Sequence, residues 1–391
     1  MDRRRFLTHA LTGCSLAASP LLTQVSFAAA PWETRLVVII LRGGMDGLDV
    51  VRPYGDPSFA ELRPNLGGGQ AREVFDLDGF FALHPALKPL YPLWTKGELG
   101  FAHAVSTPYR DKRSHFDGQD VLEAGTVGLS DEGRDGWLNR LLQGIPGVQG
   151  DTALSLGWGD MLLLKGAAPV ANWAPEAALT LSPQAERLMA LVMEEAPQFH
   201  AVFAEAQALS EATGAPAARH RSHSARHGHT QLAEFAAKRL RAETRIAAFS
   251  LNGWDTHQNQ SRGLSRALER LSDAILALQA GVGEQVWQKT TVLALTEFGR
   301  TVRENGTKGT DHGTGGLMLF AGGAVRGGRV LGAWPGLAPG DLYEGRDLMP
   351  LRDVRAYVGW ALRDLTGISQ TRIERDVFPR LDMGASPKLL R

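Results

Sequence analysis

The chain has 391 residues, with 42 Lys and Arg set against 42 Asp and Glu. That balance excludes the global electrostatic pull by which basic proteins hold nucleic acid or an anionic membrane. The single cysteine, Cys14, excludes an internal disulfide framework and a Cys-ligated zinc site.

Arg3-Arg4-Arg5-Phe6-Leu7, followed by a mostly apolar stretch to Ala28, reads as a twin-arginine export signal over residues 1–28. The expected location is therefore periplasmic or secreted, with the twin-arginine export machinery as a partner. Ser26-Phe27-Ala28 offers small residues for cleavage after Ala28, while Leu11-Thr12-Gly13-Cys14 also fits a lipoprotein cleavage pattern. Cleavage after Ala28 leaves 39 basic against 41 acidic residues, net −2, and no thiol. Beyond the signal no apolar stretch approaches the roughly 20 residues needed to span a bilayer, so no stable membrane insertion is expected. About 360 residues remain, ample for one large core, and residues 29–391 read as a single domain.

Continuous apolar runs, as in strands buried on both faces, occur at residues 36–41, 99–105, 246–251, 291–295 and 317–321. Helical patterns lie between and after them, at 85–96, 115–124, 137–143, 183–211, 231–243, 258–280 and 351–365. This alternation predicts an α/β fold, a three-layer αβα sandwich with a mostly parallel central sheet. Residues 126–230 read as an inserted cap or loop region. Within it, 219–229 carries four histidines and three arginines in eleven residues, the composition of an exposed loop or of a metal-binding tract.

Ligands in such sheets bind beyond the carboxyl ends of the strands, and this is where the chemistry-bearing residues fall. The first run is followed by Arg42-Gly43-Gly44-Met45-Asp46-Gly47, the third by Asn252-Gly253-Trp254-Asp255-Thr256-His257, and the fourth by Thr296-Glu297-Phe298-Gly299-Arg300. Thr310-Asp311-His312-Gly313 leads into the fifth. After the second run, Tyr109 to Asp120 opens a helix with Ser114 at an N-cap position and Asp117 three residues on. A hydroxyl there lies in a positive dipole field suited to an anion, to which Arg110, Lys112 and Arg113 add.

Each residue alone has an ordinary structural reading: Asp46 can cap a turn, Glu297 can pair with Arg300, and His312 can satisfy a core hydrogen bond. Four strand ends delivering carboxylates and imidazoles to one rim point instead to a cation. His with Asp or Glu is the usual ligand set for Zn²⁺, Mn²⁺ or similar ions. Trp254 and Phe298 read as walls of that site, and Trp137, Trp158, Trp173, Trp334 and Trp360 as packing residues.

The order of these motifs resembles the exported domain-of-unknown-function family 1501, within the alkaline phosphatase and sulfatase-like superfamily. The carrying segments are Leu41 to Gly47, Arg113 to Asp117, Gly253 to His257, Thr296 to Arg300 and Thr310 to Gly313. The resemblance implies an alkaline phosphatase-like fold and a site of one or two divalent ions, Zn or Mn. It implies Asp46, Asp255, His257, Glu297 and His312 as ligands and Ser114 as a hydroxyl nucleophile. The superfamily's Asp-His pair is replaced here by Glu297-Phe298, so a nitrogen ligand is missing unless His115 or Asp311 substitutes.

The implied function is an exported metal-dependent hydrolase of phosphate or sulfate esters. Its substrate would be a small anionic ester held by Arg113 and Arg300, whose guanidinium groups match paired oxyanion oxygens. The alternative is a non-catalytic periplasmic binding or assembly protein that kept the fold, which Phe298 favours.

Overall fold

Residues 36–41 are apolar without a break because the strand they belong to, β1 (Arg35–Arg42), lies inside a nine-stranded sheet and is covered on both faces. The computed structural model describes residues 32–66, 75–110, 113–128, 135–157, 161–174 and 224–391. The other strands are β2 (Val51–Arg52), β3 (Ala82–Leu83), β4 (Leu99–Ser106), β5 (Ala153–Leu156) and β6 (Ala171–Trp173). They continue with β7 (Ile246–Asn252), β8 (Thr290–Thr296), β9 (Gly316–Ala321), β10 (Val330–Leu331) and β11 (Arg352–Asp353). The sheet order is β10-β4-β9-β8-β1-β7-β5-β6, with β11 also paired to β4; β2 and β3 form a separate two-stranded antiparallel sheet. All pairings in the large sheet are parallel except those of β9, which runs against both β4 and β8.

Alternate residues of β1 feed different cores. Val37, Ile39 and Leu41 join one apolar cluster, while Leu36, Val38 and Ile40 join the other, as the two-residue side-chain period of a strand requires. The first cluster is closed by α4 (Ser224–Leu240) and α5 (Gln260–Val282), the second by α3 (Trp137–Gln143) and α6 (Val354–Thr366). In α5, Leu264, Ala267, Leu268, Leu271, Ile275 and Leu278 recur at helical spacing and are buried, which fixes the face turned to the sheet. Helices on both faces of a mostly parallel sheet make this the α/β fold expected.

Two short helices near the site complete the set: α1 (Gly47–Val50), capped by Asp46, and α2 (His115–Ala124), capped by Ser114 and ended by Gly125 in the left-handed conformation. The helix expected over 85–96 is instead a 3₁₀ segment, Pro85–Leu90, continued by a short α-helix, Tyr91–Thr95. Pro89 and Pro92 lack the amide hydrogens that an uninterrupted α-helix needs.

The signal over 1–28, Trp158 and the helix expected over 183–211 lie outside the described residues. Within the region 126–230, β5 and β6 extend the central sheet. Of the histidine-rich stretch 219–229, the part from Ser224 onward is helical. Packing of Ala233, Ala236, Ala237 and Leu240 in the core shared with α5 extends a helix that the polar composition alone read as a loop. Among the described residues, no helix is long and apolar enough to cross a membrane.

Candidate metal centre

Because β1, β7 and β8 are parallel, their carboxyl ends share one rim. β4 is antiparallel to β9 and β9 to β8, so the end of β4 and the start of β9 lie at that rim too. The topology thus brings together five segments far apart in the chain. The turn after β1 is held by glycines: Gly43 and Gly44 have φ of 126° and 66°, a region that L residues avoid. A Cβ on Gly43 would sit 2.5 Å from the Asp255 amide nitrogen, and one on Gly44 would sit 2.7 Å from the Phe298 ring.

Three imidazoles face one another at this rim. His115 Nδ1 is 2.8 Å from Glu297 Oε1, His257 Nδ1 is 3.2 Å from Asp311 Oδ1, and His312 Nδ1 is 2.7 Å from the Arg113 carbonyl oxygen. Carbonyl and carboxylate oxygens only accept, so each Nδ1 carries the hydrogen and each Nε2 presents a lone pair. Those three Nε2 atoms converge on one oxygen: Asp255 Oδ1 is 3.4 Å from that of His115, 3.1 Å from that of His257 and 3.4 Å from that of His312. His257 Nε2 and His312 Nε2 are 2.9 Å apart.

His115 Nε2 is buried without a hydrogen-bond partner, a costly state for a polar atom unless something else binds it. Lone pairs crowded around a carboxylate are the donor set of a divalent cation. Ligating histidines whose other nitrogen is held by a carboxylate or a backbone carbonyl are the usual supporting arrangement. Ligand atoms of His115, Asp255 and His312 all lie within 4.8 Å of one another. These residues therefore fit a metal ion, with His257 beside them.

Charge follows the same plan. Burial pushes the Asp255 carboxyl up, but the hydrogen bond and charge of Arg300, with His115 and His257, outweigh it and hold it at about 2. Burial likewise opposes ionisation of Glu297, yet hydrogen bonds from His115, Gln119 and the Gly43 amide keep its carboxyl below the usual range. The Glu297 hydrogen bond raises His115, whereas burial lowers His312.

Several residues assigned from sequence stand elsewhere. Asp46 does not join the imidazoles: its carboxylate is bound by Arg63, with Nη1 to Oδ2 2.6 Å, and by Gln260 at 2.5 Å. Glu297 is turned to Nδ1 of His115, so it holds that imidazole and stands apart from the Nε2 cluster. Arg300 cannot meet a substrate anion, because its side chain is 0% exposed. It donates to the carbonyls of Gly43, Gly44, Trp254 and Thr310 and to Asp255. Ser114 caps α2, its Oγ accepting from the Asp117 amide at 3.4 Å. Asp311 holds His257, and Arg113 lies at the rim. Phe298 is a wall, as expected, stacked on His115 with centroids 5.1 Å apart and 4.9 Å from the ring of His312.

Sequence reasoning missed Arg63, Gln119, Gln260, Arg346 and Asp347. Gln260 is fully buried and joins Asp46 and Asp49 to Thr256 and Thr310. Nothing in their spacing marks them, since each acts through a neighbour remote in sequence.

Residues 84–359 match the family model described as "Protein of unknown function (DUF1501)". The chain belongs to the DUF1501 family. Among solved structures, this DUF1501 member is similar to BT1596, a 2-O GAG sulfatase. The identity is 11% and the TM-score 0.41, covering 86% of this chain and 71% of that one. It is also similar to the PH0037 protein from Pyrococcus horikoshii, at 12% identity and a TM-score of 0.31, covering 74% of this chain and 86% of that one. At such identity and superposition neither likeness speaks to activity. No curated protein matches the chain.

Proposed function

We propose that this DUF1501 member is an exported, metal-dependent hydrolase of phosphate or sulfate esters on an alkaline phosphatase-like scaffold. One observation carries the reading: three imidazoles, each with Nδ1 committed to a protein acceptor, aim Nε2 at a single Asp255 oxygen. His115, Asp255 and His312 would hold the ion, and the nitrogen-rich set favours Zn over Mn. A bound divalent ion supplies Lewis-acid polarisation and lowers the pKa of a hydroxyl brought to it.

The chain's own residues do the rest. Asp311 orients His257 through Nδ1, which leaves Nε2 able to take up or deliver a proton at the rim. His257 is about two-fifths exposed, at 39%, so that proton can exchange with solvent. Phe298 closes one side and limits water. Ser114 directly precedes His115 and is the proposed nucleophile; its Oγ accepts one amide hydrogen and keeps its own hydrogen to donate. Export rests on Arg3-Arg4-Arg5-Phe6-Leu7 and is tested by fractionating cells that express the R4K/R5K variant.

Metal analysis of protein exported in its native host, paired with hydrolysis of aryl phosphate and aryl sulfate esters, tests the enzyme. About one equivalent of metal with turnover is expected, and Ser114→Ala should keep the metal and lose turnover. Metal without turnover on any ester would favour the binding-protein reading, in which Phe298 fills space a substrate would need. Protein without metal removes both the ion and the chemistry assigned to it.

A further inference from the structure

We propose that Arg113 and Arg346, organised by the buried carboxylate of Asp347, form a subsite for a tetrahedral oxyanion beside the imidazole cluster. Both arginines are tied to His312: the Arg113 carbonyl accepts from His312 Nδ1 at 2.7 Å, and Arg346 Nη2 donates to the His312 carbonyl at 2.9 Å. The two guanidinium groups are therefore positioned by the main chain and side chain of one ligand histidine. They take the role that Arg300, sealed in the turn, cannot fill.

Their own pairing is loose. Arg113 Nη2 is 3.6 Å from both Glu344 Oε2 and Asp347 Oδ2, and Arg346 Nη1 is 3.3 Å from Asp347 Oδ1. Although buried, Arg346 Nη1 and Asp347 Oδ1 make no hydrogen bond. Each arginine side chain as a whole is 36% exposed; the unbonded Nη1 of Arg346, which is buried, and the loosely paired Nη2 of Arg113 are the donors an incoming anion would use. Asp347 is fully buried, receives a hydrogen bond from Thr314 at 2.9 Å and, with the exposed Glu344, faces the two guanidinium groups. Arg113 holds a left-handed backbone, φ 49°, a strained conformation that persists only where the surroundings impose it.

Two guanidinium forks flanking the one carboxylate of Asp347 would match an anion with several oxygens better than a planar monoanion. Arg346 also lines a cavity of about 540 Å³ with Asp311, Thr301, Ser58 and Leu337. An ester whose anionic group sits between the arginines would lodge its organic part there. The subsite's place in catalysis rests on the hydrolase reading, but its anion binding does not.

Calorimetric titration with inorganic phosphate, sulfate and acetate tests this on the metal-free and the zinc-loaded chain. Phosphate and sulfate should bind both forms and acetate at least tenfold more weakly. Arg346→Met and Arg113→Met should each weaken phosphate binding tenfold or more in both forms, while Arg346→Lys restores part of it. His115→Ala should lose zinc yet keep the metal-free affinity for phosphate, which separates this subsite from the metal reading. Phosphate affinity unchanged in a folded Arg346→Met or Arg346→Lys variant, or acetate binding as well as phosphate, would overturn the proposal.

Discussion

Arg63 Nη1 lies 2.6 Å from Asp46 Oδ2, and both side chains are sealed from solvent. Burial raises the Asp46 carboxyl, but the charge and hydrogen bonds of Arg63 outweigh it and hold the group ionised. Asp46→Asn would leave the guanidinium buried without its counter-charge. The expected loss is about 3–5 kcal/mol of stability, read by denaturant unfolding. Metal content of the folded fraction should not change, because Asp46 belongs to the scaffold; loss of the ion in Asp46→Asn would return it to the ligand set.

Glu297 holds His115 by a 2.8 Å hydrogen bond, and under the proposed metal site it would act on the ion through that imidazole. Removing its charge in Glu297→Gln frees the imidazole to rotate and lowers its basicity, so metal affinity should fall roughly 10- to 100-fold. The His115 pKa is raised in the wild type by this hydrogen bond, so protons compete with metal to a higher pH than at an isolated histidine. Zinc binding should therefore weaken as pH falls and release protons as the ion is taken up. In Glu297→Gln that competition should begin at lower pH. A zinc affinity and pH profile identical to wild type would show Glu297 to be idle.

Acid stability should be governed by two histidines away from the site. Burial lowers both His84 and His103 to about 4. The unfolded chain then binds more protons than the folded one below the ordinary histidine pKa. Stability is complete above about pH 6.5 and drains away as pH falls toward 4, by about 3 kcal/mol for each group. His84 Nδ1 caps the 3₁₀ segment by accepting from the Ala86 amide at 3.1 Å. His84→Asn keeps a capping oxygen without a titrating ring, so its melting temperature should fall less steeply between pH 6.5 and 4. An unaltered slope would move the acid sensitivity elsewhere.

Gly44 and Phe298 occupy one space. Gly44→Ala adds a methyl 2.7 Å from the ring at φ 66° and should cost about 1–3 kcal/mol. Because Phe298 stacks on His115, the displaced ring should also weaken zinc binding. Phe298→Leu in the same chain should restore part of the metal affinity and leave the backbone strain, a split that thermal denaturation with and without zinc can read.

The five long strands, α2 and α3 were legible because each is written in consecutive residues: unbroken apolar runs for β1 and β4, a cap and αL glycine around His115–Ala124. The rim was legible for a similar reason, since parallel strands deliver their following residues to one edge. Asp255, His257 and His312 were read there, and His115 and Asp311 as substitutes.

What each side chain does at that rim lay beyond any linear pattern. Asp46 and Glu297 are both acidic residues shortly after a strand, yet one was claimed by Arg63 and the other by the far nitrogen of His115. Arg300 was drawn inward by carbonyls from three separate loops, while Arg346 donates to the His312 carbonyl at the rim. Local sequence determines backbone conformation because its forces act between near neighbours. The partner of a charged group is chosen by whichever counter-charge or carbonyl folding brings within about 3 Å, and only the assembled sheet decides that.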